Sequence, residues 1–122
     1  VEAGREHCKK YLDQLVAKYG DKLIATHLND NLGIKDENGI IFWHDDLHLL
    51  PYDGMADWKE LAHRLNKCGY DDILTFELNN KSKPNRHEND KYFKVPIEEY
   101  VAECYARACR FAVMVKKVAS CK

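Results

Sequence analysis

Two short apolar stretches, each running into ionisable side chains, determine the predicted fold of this chain. The first is Lys22-Leu-Ile-Ala-Thr-His27-Leu-Asn-Asp30, and the second is Ile73-Leu-Thr-Phe-Glu77. An apolar run that stops at an ionisable residue and continues into a polar loop is typical of a parallel α/β strand that delivers a side chain to a site. Because parallel strands direct their carboxyl ends to one edge of a sheet, we expect His27 and Glu77 to be neighbours in one shared site.

The periodicity of apolar residues around these stretches predicts the order α-β-α-β-α and an α/β fold class. Helices are predicted over residues 3–19, residues 57–67 and residues 96 to about 118, and strands over residues 22–27 and 73–77. Gly39 to Trp43 is interpreted as a brief extended segment in the long connection between the first strand and the second helix. Two short parallel strands do not make a complete sheet, and parallel sheets are normally covered on both faces. We therefore interpret residues 1–122 as one partial domain of a larger α/β assembly.

The overall composition indicates a globular chain without a strong electrostatic bias. Its 122 residues are 45% hydrophobic and 32% charged, and the net charge is −1. A charge so close to zero gives no field that favours nucleic acid or an anionic membrane. No apolar run is long enough to span a membrane, and no signal peptide opens the sequence.

The five cysteines form an odd set without a Cys-x-x-Cys motif. They are Cys8, Cys68, Cys104, Cys109 and Cys121. Four of them fall within predicted helices or at their ends, and a disulfide framework would require an even number in an oxidising compartment. The sequence therefore favours reduced, mostly buried thiols in a protein of cytoplasmic location.

Histidine and carboxylate side chains gather at the predicted strand ends and in the long loop between them. His27 and Asp30 close the first strand, Glu77 closes the second, and the loop carries Asp46-x-His48. Imidazole and carboxylate ligands without a thiolate suit Zn²⁺, Mn²⁺, Co²⁺ or Mg²⁺. A histidine at one strand end is by itself only a polar surface residue, and Asp-x-His is compatible with an Asx-type turn. The matching positions of His27 and Glu77 favour a metal site, with Asp46, His48 and Asp30 near a second metal ion or the substrate.

Four segments, in this order and spacing, resemble the C-terminal part of the sugar phosphate isomerase/epimerase family. They are Thr26–Asn31, Asp46–Pro51, Asp53–Trp58 and Gly69–Glu77. Members of that family are xylose isomerase-like TIM barrels, and the broader group includes AP endonucleases of the endonuclease IV type. The resemblance implies that the chain is the last quarter to half of a barrel that usually needs about 250 residues. Tyr52 departs from the pattern, because many relatives carry glycine there.

The resemblance also implies a mechanism. His27 and Glu77 match a histidine and a glutamate that hold a divalent metal, together with ligands on earlier strands that are absent from this chain. The glutamate matching Glu77 is also one of two acid/base carboxylates. The implied reaction is proton removal from the carbon next to a carbonyl of a sugar or sugar phosphate. With an incomplete ligand set, this chain alone is expected to be inactive.

Two other functions stay open at this point. In the zinc-dependent AP endonuclease branch, the residues matching His27, Asp46, His48 and Glu77 would all bind zinc. The nearly neutral charge disfavours that branch, because DNA binding depends on neutralising phosphates. The third alternative is a non-catalytic fragment that associates with itself. Whichever of these functions applies, the unpaired edges of the two predicted strands favour a homo-oligomer.

Overall fold

The computed structural model describes residues 2–120, with side-chain environments given for residues 9–116. In this part of the chain the α-helices are α1 (Glu2–Tyr19), α2 (Trp58–Lys67), α3 (Asp90–Phe93) and α4 (Ile97–Ser120). The three predicted helices are thereby confirmed, whereas the short helix α3 was not predicted. The side chain of Cys8 and the whole of Cys121 lie outside the described residues. None of the described helices is both long and apolar enough to cross a membrane.

The prediction of an α/β fragment with two parallel strands is wrong. Between residues 2 and 120 the backbone forms no strand, and the regular structure is helical. Residues 22–27 and 73–77 lack the continuous hydrogen-bonded ladder that defines a strand. What exists is one isolated parallel bridge between Leu28 and Phe76, and one isolated antiparallel bridge between Asp30 and Leu49. In the segment from Gly39 to Trp43, which was predicted to be briefly extended, Phe42 has an extended backbone, and a 3₁₀ turn then occupies Trp43–Asp45.

The hydroxyl of Thr26 explains why the parallel pairing stops after one bridge. Leu28 donates its N–H to the Thr75 carbonyl at 2.9 Å, and Glu77 donates to the Leu28 carbonyl at 3.0 Å. The N–H of Thr75 instead bonds to the side-chain oxygen of Thr26 at 3.0 Å. Such a side-chain acceptor competes with the backbone ladder, and an isolated pair of short strands is marginal even when complete.

Helix α2 is defined by clear signals at both ends. The side chain of Asp57 accepts the N–H of Glu60 at 2.9 Å, which is an N-cap. At the other end Gly69 has φ +73°, and Tyr70 donates its N–H to the Leu65 carbonyl at 3.0 Å. This is a Schellman ending, which requires a residue that tolerates the left-handed conformation.

The core lies where α2 packs against α4. Its buried residues are Leu28, Trp58, Ala62, Leu65 and Phe111. The rings of Trp58 and Phe111 meet edge to face at a centroid distance of 5.0 Å, and Phe76 packs against both of them. A second buried cluster joins the long loop to α3 and α4, and it consists of Leu47, Leu49, Leu50, Tyr92 and Tyr100. These two clusters fix the segments that carry the candidate site.

Much apolar surface lies outside these clusters. On α1 the side chains of Tyr11, Leu12, Leu15 and Tyr19 are between 37% and 57% exposed. Ile24 and Ile73 are 84% and 76% exposed, and Ile97, Val101 and Tyr105 on α4 are also exposed. Among the side chains that the structure describes, α1 contributes none to either of the two buried clusters.

Candidate metal centre

The two isolated bridges assemble the site. Leu28 pairs with Phe76, so the residues next to this pair, His27 and Glu77, come together. Leu49 pairs with Asp30 through N–H to carbonyl bonds of 2.8 and 2.9 Å, which places the adjacent His48 beside them. The expectation that His27 and Glu77 are neighbours thus agrees with the structure, although single bridges rather than strands bring them together.

Two imidazoles face one oxygen of Glu77. The Nδ1 atom of His27 lies 3.4 Å from Glu77 Oε2, and the Nδ1 atom of His48 lies 3.8 Å from the same oxygen. The side chains of His27 and Glu77 are 69% and 53% exposed, whereas His48 is 20% exposed. His27 and Glu77 are therefore more open to solvent than His48.

Asp46 joins this cluster through His48. One oxygen of its carboxylate, Oδ2, lies 2.8 Å from His48 Nε2. The other oxygen, Oδ1, accepts a hydrogen bond of 3.1 Å from the side-chain amide of Asn31. Asn31 was quoted in a motif but not predicted as a site residue, because its role depends on a loop 15 residues further along the chain.

The segment that carries Asp46 and His48 is held firmly from the opposite side by residues 79–92. Arg86 pairs with Asp45 at 2.8 Å, and the amide of Asn89 donates to the Leu47 carbonyl at 2.9 Å. Hydrogen bonding from Arg86 lowers the pKa of Asp45 below its usual value. The backbone N–H of Asn79 donates to the His48 carbonyl at 3.0 Å. The loop after Glu77 therefore supports the segment that carries Asp46 and His48.

Asp30 has a different environment from the other candidate residues. It is fully buried, and its two oxygens accept four N–H groups. The donors are the backbone of Asn31 (2.9 Å), Tyr52 (3.0 Å) and Ala56 (3.0 Å) and the indole of Trp58 (2.8 Å). With its oxygens so engaged, Asp30 organises the loop over residues 52–58 rather than facing a second metal ion or a substrate.

Two backbone features fit this loop around Asp30. A Cβ added at Gly54 would collide with Asp30 Oδ1 and with the Asn31 carbonyl, so glycine permits the close approach. Tyr52 has φ +75°, in the left-handed region that favours glycine. This explains physically why glycine suits the position at which Tyr52 departs from the family pattern.

The donor chemistry of the His27–Glu77 pair suits a divalent cation. Two ligands that bind one ion at about 2.0–2.2 Å in a tetrahedral arrangement lie roughly 3.3–3.6 Å apart. The 3.4 Å separation of His27 Nδ1 and Glu77 Oε2 is in that range. Among the side chains that the structure describes, no group of three or more His, Cys, Asp or Glu residues is arranged to hold a metal ion. Within residues 9–116, whose side chains the structure describes, there is thus a pair of suitable ligands and not a complete set.

Comparison of sequences shows the family to which this chain belongs. The model of the family described as xylose isomerase-like TIM barrel matches residues 3–101, and the chain belongs to this family. The resemblance drawn from the four sequence segments is thereby confirmed. The family includes enzymes of the sugar isomerase and AP endonuclease superfamily.

One curated relative is y4fM of Sinorhizobium fredii, which is described as uncharacterized. The two proteins are 32% identical over 98 residues, a region that covers 77% of this chain and 28% of y4fM. The chain thus spans little more than a quarter of that relative. No solved structure matches the chain significantly.

Proposed function

We propose that this chain is part of a divalent-metal-dependent isomerase or epimerase that acts on a sugar or sugar phosphate. The observation that carries the proposal is the convergence of His27 and His48 on Glu77 Oε2, at 3.4 and 3.8 Å. Family membership supports the same superfamily. The carboxylates of Glu77 and Asp46 supply negative charge in this cluster, which favours a cation.

His27 and Glu77 are the residues of this chain proposed to hold the metal, with further ligands from outside the chain. A bound divalent ion would polarise the carbonyl and hydroxyl oxygens of the substrate. Glu77 is proposed to remove or return the proton on the carbon next to the carbonyl, because its carboxylate is half exposed and reachable. Asp46 and His48 lie beside it, in reach of a substrate hydroxyl or of a second metal ion.

Exchange of substrate hydrogen for deuterium tests this function directly. The longer protein of which this chain is proposed to be a part is incubated in D₂O with ketoses and ketose phosphates, and deuterium at the carbon next to the carbonyl is measured by NMR. Glu77→Gln is expected to slow the exchange about 10²- to 10⁴-fold, the usual contribution of an acid/base group. Glu37→Gln, at an exposed glutamate in the long loop, is the matched control. Exchange at the normal rate in Glu77→Gln would contradict the proposal.

One observation favours the zinc-dependent AP endonuclease as a second candidate. Asp46 and His48 belong to the same cluster as His27 and Glu77, and all four match zinc ligands of that branch. The net charge of −1 argues against a DNA groove within this chain. Incision of a duplex that carries an abasic site, weakened by added salt and lost in His48→Ala, would place the nuclease ahead of the sugar enzyme.

A further inference from the structure

The amide of Asn31 holds two consecutive residues of the site loop. Its Oδ1 accepts the backbone N–H of Leu47 at 2.5 Å, and its Nδ2 donates to Asp46 Oδ1 at 3.1 Å. A backbone N–H can only donate and an ionised carboxylate can only accept, so the orientation of this amide is fixed by its partners. Asn31 thus joins the end of the first extended segment to the loop of Asp46 and His48.

The same logic continues from Asp46 to His48. Asp46 Oδ2 lies 2.8 Å from His48 Nε2, and because the carboxylate only accepts, Nε2 carries the hydrogen. The Nδ1 atom lies on the side of Glu77, 3.8 Å from Oε2, and in the neutral ring it carries the lone pair. A carboxylate that binds one ring nitrogen sets both the tautomer and the direction of the other nitrogen, which proteins use to orient histidine ligands.

His48 also has a backbone conformation that needs support. Its φ is +51°, which is costly for a residue other than glycine and persists only where the surroundings determine it. The neighbours on both sides are fixed: Leu47 by Asn31, and Leu49 by its two hydrogen bonds to Asp30. Asn31 therefore contributes both to the backbone position and to the ring orientation of His48.

We propose that Asn31 is a positioning residue of this site: through Leu47 and Asp46 it fixes the Nε2–H tautomer of His48 and directs Nδ1 towards Glu77. The use of that nitrogen towards a metal or a substrate rests on the function proposed above. The positioning itself does not, since it follows from contacts within the chain.

Three variants of the longer protein, labelled with ¹⁵N-histidine, distinguish the loss of the hydrogen bond between Asn31 and Asp46 from the effect of an added negative charge. Asn31→Asp keeps an oxygen for Leu47 but places a carboxylate against Asp46. Asn29→Asp adds the same charge nearby and keeps its oxygen as acceptor for the Asn31 amide, which it meets at 2.8 Å. In the double variant Asn31→Asp with Asp46→Asn, the amide at position 46 can donate to the carboxylate at position 31. This restores the hydrogen bond between the two positions with donor and acceptor exchanged.

Long-range ¹H–¹⁵N correlation above about pH 8, beyond the usual pKa of a histidine side chain, reports the tautomer of His48. In the wild type, the ¹⁵N chemical shifts of His48 Nε2 and Nδ1 should be clearly separated. In Asn31→Asp these two shifts should converge. In Asn29→Asp and in the double variant Asn31→Asp with Asp46→Asn they should resemble those of the wild type. Unchanged His48 shifts in Asn31→Asp, or no recovery in the double variant, would overturn the proposal. If Asn31→Asp does not fold, Asn31→Ala is used with the same criterion.

A kinetic measurement distinguishes two negative results: that Asn31 does not position His48, and that the protein is not a sugar isomerase or epimerase. Loss of an orienting partner typically costs about 10- to 100-fold in activity, and we expect Asn31→Asp to lower kcat by this factor with a smaller change in KM. If the His48 shifts respond as expected but the wild type acts on no sugar, the positioning stands and the proposed function fails. If the wild type acts on sugars and Asn31→Asp changes neither the shifts nor kcat, the positioning is overturned.

Discussion

Replacement of Asp30 by asparagine should destabilise the chain strongly, because it disrupts a fully occupied buried acceptor. The two Asp30 oxygens accept four N–H donors, two at each oxygen. An asparagine side chain keeps one oxygen and presents an NH₂ group to the other two donors. A buried donor without a partner costs about 1–3 kcal/mol, so two of them, partly relaxed, should lower the free energy of unfolding by about 3 kcal/mol.

Urea unfolding followed by fluorescence measures this loss, since the Trp58 indole is one of the donors. The matched control is Asp36→Asn, because Asp36 accepts two backbone N–H groups through the single oxygen Oδ1, which asparagine retains. We expect the control to change the free energy of unfolding by less than about 0.5 kcal/mol. A loss below about 1 kcal/mol in Asp30→Asn would refute the assignment of Asp30 as the organising acceptor of this loop.

Three further outcomes are expected. Gly54→Ala should lower the thermal unfolding midpoint, at a cost of about 1–3 kcal/mol, because its Cβ collides with Asp30 and the Asn31 carbonyl; an unchanged midpoint would contradict this. Burial raises the pKa of Asp53, but hydrogen bonds from Tyr92 and Arg107 outweigh it, so the pKa lies below its usual value. Its stabilisation is present above about pH 4 and lost as the pH falls through the lowered pKa, so urea unfolding of Asp53→Asn should depend less on pH between 5 and 2. Finally, this chain alone should sediment as a dimer or larger assembly, since its exposed apolar residues include Ile24 and Ile73; a stable monomer at micromolar concentration would exclude this.

The helices were predictable because their signals are local. The spacing of apolar residues, the cap at Asp57 and the stop at Gly69 all lie within or next to the helix that they define. The strands were not predictable in the same way, because a strand exists only through its neighbours. Within residues 2–120 the pairing of residues 22–27 with 73–77 reduces to one bridge, and the Thr26 hydroxyl takes the N–H that a ladder would use.

One part of the candidate site was predictable from local sequence patterns. His27 and Glu77 were paired by their matching positions, and they lie 3.4 Å apart. The roles of Asp30 and Asn31 depend on partners 15 to 28 residues away, such as Asp46 and the Trp58 indole. No local pattern distinguishes a carboxylate that binds four N–H groups from one that faces a ligand, so the sequence could not separate Asp30 from the metal-site candidates.

The metal content of the longer protein tests the central claim most directly. After purification and dialysis, elemental analysis should find a divalent metal in the wild type and in the control His63→Ala, which alters an exposed histidine on α2. His27→Ala and Glu77→Gln should each lose most of that metal, because each removes one of the two ligands proposed from this chain. Wild-type metal content in both His27→Ala and Glu77→Gln would contradict the claim that these two residues form part of a metal centre.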